Sequence, residues 1–297
     1  VHWSQEKNAY VLHGTTGSDA YAGIVDNNWL NNFAAARTLN ITLKTLEQLR
    51  QEAPEALIDI EEKTGLLEPV EIRFWQEVLK HLFLPQNADL FLSHETYSDR
   101  KAYLANEVAV TDRPVWKHWS PDRLQRSGLH QQGDVLLGIA LWPGHFTGAQ
   151  ISRHFEWYEP RTLHEAVHSF AVHSAVASWS KDHSKASGLF FRAVRQALDP
   201  LVPETEDQEH PLSICSAVWA LLKGFAGLQI ENNCLCLRPH WPERWTSIAF
   251  HLHFGGARLH MEGSQEQTTV RHLGGPAIKL SLNGAEQILE AGNEMSR

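Results

Sequence analysis

The residues of this chain that could do chemistry gather first in the stretch from Leu12 to Leu30, LHGTTGSDAYAGIVDNNWL. Gly14, Gly17 and Gly23 allow the positive-φ or closely packed backbone of a loop that hugs a ligand. Asp19 and Tyr21 place a carboxylate and a phenol on that loop. Behind them Asp26, Asn27 and Asn28 supply an N-cap cluster for an amphipathic helix, so the loop projects from a helix start. Farther on, Gln131 and Gln132 offer amides able to give and accept hydrogen bonds from hydroxyls. His164, Glu165 and Ser169 gather an imidazole, a carboxylate and a hydroxyl where another helix is expected to begin. Glu165 there has a plain reading, a carboxylate in a first helical turn worth about 0.3–1 kcal/mol against the helix dipole, and a chemical one, a base for water.

The composition bounds what such groups could act on. A net charge of −9 and a pI near 6.0 disfavour a nucleic-acid surface, and neutral or small polar ligands fit better. Eleven tryptophans and 18 histidines are many for 297 residues, and sugar sites use aromatic platforms with polar rims; for any single Trp, core packing is the plainer role. The length accommodates two domains. No apolar run reaches the roughly 18 residues of a membrane span. Cys215, Cys234 and Cys236 have no metal-ligand spacing, so a reduced, metal-free interior is expected. The start at Val1 carries no signal-peptide pattern, which suggests a cytoplasmic protein.

Periodicity predicts the elements that must position these residues. Helices are expected over Asn28 to Glu52, with Leu39, Leu43, Leu46 and Leu49 at helical spacing and Pro54 closing it, and over Leu66 to Leu84. Gln86 to Pro121 reads as loop. Further helices are expected at Asp122 to Leu141, Ile151 to Trp157, His164 to Trp179, Ser184 to Leu198 and Ser213 to Leu228. From about Gln229 alternation takes over, Ile248, Phe250, Leu252 and Phe254 facing one way, with the same pattern at Leu259 and Met261 and at Ile278, Leu280 and Leu282. Cys234 and Cys236 share one face of a strand.

Four separated motifs resemble glycoside hydrolase family 65, the inverting phosphorylases and hydrolases of α-glucosides such as maltose, trehalose and kojibiose. Residues 14–21, GTTGSDAY, and 27–32, NNWLNN, resemble the family's G-V-T-G-P-D-E-Y and following Asn-rich run. Residues 122–137, DRLQRSGLHQQGDVLL, resemble D-R-x-x-R-S-x-x-x-K-Q-A-D-V-L-L, and residues 158–164, YEPRTLH, resemble Y-E-P-R-T-V-H. KGFAGL at 223–228 and PHWP at 239–242 resemble the exit of the family's helical barrel and its first C-terminal strands. The resemblance implies a mainly α fold with a C-terminal β domain: the second half of an (α/α)6 catalytic barrel over residues 1–228, then a small β-sandwich over 229–297. It implies a fragment, with an N-terminal half of the barrel as a missing partner, and family members are commonly homodimers.

The resemblance also assigns roles, and several positions depart from them. The family's general-acid Glu falls on Ala20, and a methyl group cannot protonate a glycosidic oxygen. Asp19 and Tyr21 flank that position as pocket walls. Gln131 and Gln132 fall on a Lys-Gln pair that contacts the glucose beside the cleaved bond, so Gln132 matches and Gln131 replaces Lys. The phosphate motif H-D-S-S-x-S becomes HEAVHS at 164–169, keeping His164 and Ser169 and losing both hydroxyls of the Ser pair. That site would lie at a helix N-terminus, where backbone N–H groups favour an anion. Glu165 would serve as a replacement base, with Glu159 of the Y-E-P motif as a second candidate.

Three departures together point to natural divergence more than to one engineered change. The implied protein acts on, or binds, an α-linked glucose disaccharide or other glucoside. No cofactor is expected beyond inorganic phosphate as a co-substrate. The alternative is a sugar-binding or regulatory paralogue without catalysis.

Overall fold

The computed structural model describes residues 1–66, 69–198 and 211–297. Two compact units divide the chain, Val1–Pro143 with Glu156–Leu163, and Gly144–Phe155 with His164–Arg297.

The first unit opens with two small antiparallel pairs, β1 (His2–Ser4) with β2 (Ala9–Val11) and β3 (Thr15–Thr16) with β4 (Ile24–Val25). They lead into α1 (Trp29–Glu52), where the Asn28 side chain caps the helix by accepting from the Asn31 N–H. Pro54 does close α1, but it also starts α2 (Pro54–Thr64), a helix the periodicity missed, because proline at the first helical position has no orphan N–H to satisfy. The expected helix from Leu66 to Leu84 is shorter, α3 (Val70–His81), and residues 67 and 68 of that span lie outside the described residues. The stretch read as loop holds a hairpin, β5 (Gln86–Asn87) with β6 (Leu90–Phe91), three 3-10 turns and the short α4 (Val115–His118).

The expected helix from Asp122 to Leu141 is two helices, α5 (Pro121–Gln125) and α6 (Asp134–Leu141). Between them the backbone gives up helical bonds for tertiary ones. Lys101 N–H donates to Arg126 C=O and Gly128 N–H to Lys101 C=O, while His130 N–H donates to Arg161 C=O and Leu163 N–H to His130 C=O. The helical expectation there comes from the apolar residues on either side, since 126–133 holds only Leu129 and two glycines, and a local pattern does not show these distant partners.

Trp29 anchors the packing of α1. It is 1% exposed and stacks between Phe33 (4.9 Å) and Phe91 (5.1 Å). Gly138 lets α6 approach, since a Cβ there would sit 2.5 Å from the Trp29 ring. A second cluster packs Tyr21, Val108, Val115, Trp119, Leu124, Leu129 and Leu163 together.

The second unit packs α8 (Ser169–Trp179) against α9 (His183–Leu198) and α10 (Pro211–Ala220), which runs into one π turn, Leu221–Phe225. α7 (Gly148–Tyr158) contains the division between the units. The helix expected from His164 begins only at Ser169, because His164 holds φ +59°, outside the helical region. Glu165 is therefore not in a first helical turn. The helix expected over Ser213 to Leu228 starts at Pro211 and leaves α geometry at Leu221.

Strands follow as expected, in two four-stranded sheets. One has the order β14 (Glu294–Ser296), β11 (Thr268–Gly274), β10 (Ala257–Gly263), β9 (Ile248–Phe254); the other β13 (Ala285–Leu289), β12 (Ile278–Leu282), β8 (Cys234–Leu237), β7 (Gln229–Glu231). All neighbours are antiparallel except β12 with β8. Alternation places Leu259, Met261, Val270, Leu280 and Leu282 fully inside. The protein is thus a helical region followed by a C-terminal sheet region. Among the described residues no helix is long and apolar enough to cross a membrane.

Candidate active site

Around Asp19 the first unit builds a buried polar network from four separate stretches of chain. Asp134, in the first turn of α6 where the helix dipole favours a carboxylate, reaches back to the loop. Its Oδ1 accepts from Ser18 Oγ (2.8 Å) and from the Asp19 N–H (2.9 Å), and its Oδ2 accepts from Asn28 Nδ2 (2.8 Å). One side chain thus ties the loop to the caps of α1 and α6. Burial pushes the Asp134 carboxyl up from the usual carboxylate range, the Asp19 charge adds to the rise, and the bonds from Asn28 and Ser18 oppose it. Gly17 is required by this approach, because a Cβ there would collide with the Asp134 carboxylate and the Asn28 amide.

Asp19 itself is 2% exposed, and both its oxygens are engaged. Oδ1 accepts from the Tyr21 N–H (3.1 Å) and the Gln131 N–H (3.0 Å), and Oδ2 lies 2.6 Å from His130 Nδ1. His130 Nε2 lies 2.9 Å from Tyr97 Oη, which donates to Gly128 C=O at 3.0 Å. A carboxylate oxygen can only accept, so His130 Nδ1 donates to Asp19, and the contact of Nε2 with Tyr97 Oη takes its direction from the histidine tautomer. Burial raises the Tyr97 hydroxyl well above its ordinary range, so it stays a neutral donor. Tyr97 also lines a cavity of about 430 Å³ shared with Arg100, Trp157 and Arg161.

Ala20 stands exposed at the second position of the turn that the Ala22 N–H closes on Asp19 C=O (3.1 Å). Arg100 braces the same turn through Tyr21 C=O and Ala22 C=O. Residue 20 is thus presented to solvent on a turn braced by hydrogen bonds to Asp19 and Arg100. Tyr21 goes into the apolar cluster rather than into a pocket wall. Gln132 is 5% exposed; its Nε2 donates to Ser18 C=O (2.5 Å) and Ser18 Oγ (2.8 Å), while its buried Oε1 meets no donor. Gln131 meets the network through its backbone, with a half-buried side chain.

In the second unit His164 and Ser169, the two residues kept from the anion motif, bond to each other, Nδ1 to Oγ at 3.0 Å. The His164 ring stacks on Phe170 (4.5 Å) and meets the His173 ring edge-on (4.6 Å). A non-glycine residue in the left-handed region costs of order 1–3 kcal/mol, and such positions concentrate at functional sites. Glu165 is buried, in the loop before α8 rather than within it.

The structure brings Asp19, Gln131 and Gln132 together with His130 and Tyr97, two residues that the sequence had not singled out. His130 precedes the two glutamines directly, and its pairing with Thr162 puts it opposite the YEPRTLH motif. A polar residue between two matched motif positions was the available signal. Tyr97 left none, since it reaches the network from a 3-10 turn with no periodic pattern.

Residues 1–219 match the glycosyl hydrolase family 65 central catalytic domain and residues 228–289 the glycosyl hydrolase family 65 C-terminal domain; the chain belongs to that family. It is 32% identical to the maltose phosphorylase of Bacillus subtilis (strain 168), over 98% of this chain and 38% of that protein. It is 26% identical to the kojibiose phosphorylase of Caldanaerobacter subterraneus subsp. tengcongensis, over 96% of this chain and 38% of that protein. A solved structure named "Putative kojibiose phosphorylase from human microbiome" shares the fold with a TM-score of 0.88 at 24% identity, covering 100% of this chain and 41% of that one. The chain therefore spans well under half the length of these relatives.

Proposed function

We propose that this chain carries the α-glucoside site of a family 65 protein whose proton-donating position is occupied by Ala20, so that it binds an α-linked glucose disaccharide without protonating the glycosidic bond from that position. The observation that carries this reading is the contrast between a preserved support and its missing acid. The turn bearing residue 20 is anchored through Asp19, Asp134 and Arg100, yet Ala20 presents only a methyl group. Neither anchoring carboxylate can substitute: Asp19 and Asp134 are buried and hold their loop through at least three hydrogen bonds each. The buried Gln132 Oε1 supports sugar binding, as an acceptor of the kind a ligand hydroxyl or an ordered water satisfies. Residues 1–228 belong in this reading to the catalytic barrel and 229–297 to a separate β domain.

The test is Ala20→Glu in the full-length protein, with maltose, trehalose and kojibiose supplied with and without phosphate. A general acid contributes typically about 10²–10⁴-fold. The unaltered protein is expected to bind one of the sugars by calorimetry with little turnover, and the variant to gain turnover within that range. Sugar cleavage by the unaltered protein that Ala20→Glu leaves unchanged refutes the reading. So does failure of both forms to bind or cleave any of the three.

A further inference from the structure

The second unit carries a cluster of histidines that the sugar site does not use. On β9 the sequence His251-Leu252-His253 sets two imidazoles on one face of the strand, two residues apart. On the neighbouring β10, His260 stands directly opposite His251 in the antiparallel register. The His251 and His260 rings lie with centroids 4.8 Å apart, tilted by 51°. None of the three rings has a hydrogen bond or ion pair to a described residue, and His260 Nδ1 is buried without a partner. His251 and His253 face solvent with no protein partner, and the buried His260 Nδ1 is the one of these nitrogens whose lack of a partner calls for an explanation.

The surrounding charges suit a cation. Arg258 stands opposite His253 in the register, but its guanidinium extends over Gly274 on β11, away from β9. Arg271, opposite His260 on the other side, is held by Glu294 of β14, Nε to Oε2 at 2.7 Å. Both arginines are therefore drawn to the far side of β10. Glu262 follows His260 by two residues on the same face and adds a carboxylate at the edge of the cluster.

We propose that His251, His253 and His260 form a binding site for a zinc-class transition-metal cation on the exposed face of the C-terminal sheet. His251 and His260 are the primary pair. Neutral imidazole nitrogens are ligands for Zn²⁺ at about 2.0–2.1 Å, and tetrahedral geometry then places two of them about 3.3 Å apart. The His251 and His260 rings, with centroids 4.8 Å apart, would close to that spacing by turning about their side-chain bonds as the cation binds. His253, two residues along the same strand, supplies the third nitrogen, and Glu262 or water completes the shell. A cation held this way ties β9, an edge strand, to β10, and it stabilises the folded sheet by mass action because the unfolded chain has no such arrangement.

The experiment titrates the protein with ZnCl₂ by calorimetry above the ordinary imidazole range, and follows thermal unfolding with zinc, with MgCl₂ and with chelator. The unaltered protein is expected to bind zinc at this site and to unfold at higher temperature with zinc than with magnesium. His251→Ala and His260→Ala are each expected to weaken that binding by at least about tenfold, the low end of what loss of even an outer partner costs a metal site. His253→Ala is expected to weaken it less. Zinc held by other histidines remains in the double variant His251→Ala/His260→Ala and is subtracted as background. His251→Gln, at an exposed position, repeats the test without the packing change, and unfolding in chelator checks that every variant is folded. Zinc binding equal in the unaltered protein and the double variant overturns the proposal. So does unchanged zinc affinity in His251→Gln.

Discussion

Replacing Asp19 with Asn keeps the shape of the loop beneath residue 20 and changes its electrostatics alone. The Asn Oδ1 can still accept from the Tyr21 and Gln131 N–H groups, but an NH₂ now faces His130 Nδ1, 2.6 Å from where a carboxylate oxygen stood. Both side chains are at most 3% exposed, so solvent does not screen the loss. Removing one member of a buried, hydrogen-bonded pair costs about 3–5 kcal/mol, because its partner is left facing a like group. His130 can recover part of this by releasing its Nδ1 proton and accepting from the new amide, a neutral bond worth about 1 kcal/mol. The net expectation is a loss of about 2–4 kcal/mol. At about 2–4 °C per kcal/mol, the figure for chains somewhat shorter than this, thermal unfolding followed by circular dichroism should shift down by roughly 5–10 °C. His130→Gln in the same background should cost less than in the native protein, with a coupling energy of about 1–3 kcal/mol. A stability change within about 0.5 kcal/mol for Asp19→Asn, the range of an ordinary surface substitution, would refute the anchoring role of the Asp19–His130 pair, as would a coupling energy of zero.

Gly17→Ala should destabilise the protein by about 1–3 kcal/mol through overpacking against Asp134 and Asn28, whereas Gly144→Ala, which meets nothing within 4 Å, should be near neutral in the same thermal assay. Burial lowers the His94 pKa to about 3, with the charges of Arg100 and His130 acting in the same direction. Because that value lies below the roughly 6.5 of an unfolded histidine, the stabilisation is complete above pH ~6.5 and is lost as pH falls toward the folded value. The loss from this group between pH 8 and pH 5 is on the order of 2 kcal/mol, to be checked as the part of the acid-induced shift in unfolding that His94→Phe removes. If Ala20→Glu brings turnover, water rather than phosphate should be the acceptor, since Ala166 and Val167 stand where the family resemblance implies two serine hydroxyls, worth about 1–3 kcal/mol of anion binding between them, and the Glu165 carboxylate would repel an anion. Following free glucose and glucose 1-phosphate separately decides it, and a strict phosphate requirement sinks the idea.

The sequence by itself determined the family and the order of helices before strands, because each rests on residue type at fixed spacing. Asn28 caps α1 as its type and position require, and Leu259, Met261, Leu280 and Leu282 face inward because a strand alternates with period two whatever it packs against. Tertiary structure decided what local pattern could not express. Residues 126–133 hold one apolar side chain, Leu129, and two glycines, and the backbone there bonds to Lys101 and Arg161, partners distant in sequence that no window of neighbours reveals. His164 was expected to begin a helix and instead turns left-handed to meet Ser169 and Phe170. Asp19 reads from sequence as one more loop carboxylate. Its pairing with His130, 111 residues away, exists only once the chain has folded, and it is burial that turns that contact into the anchor of the loop.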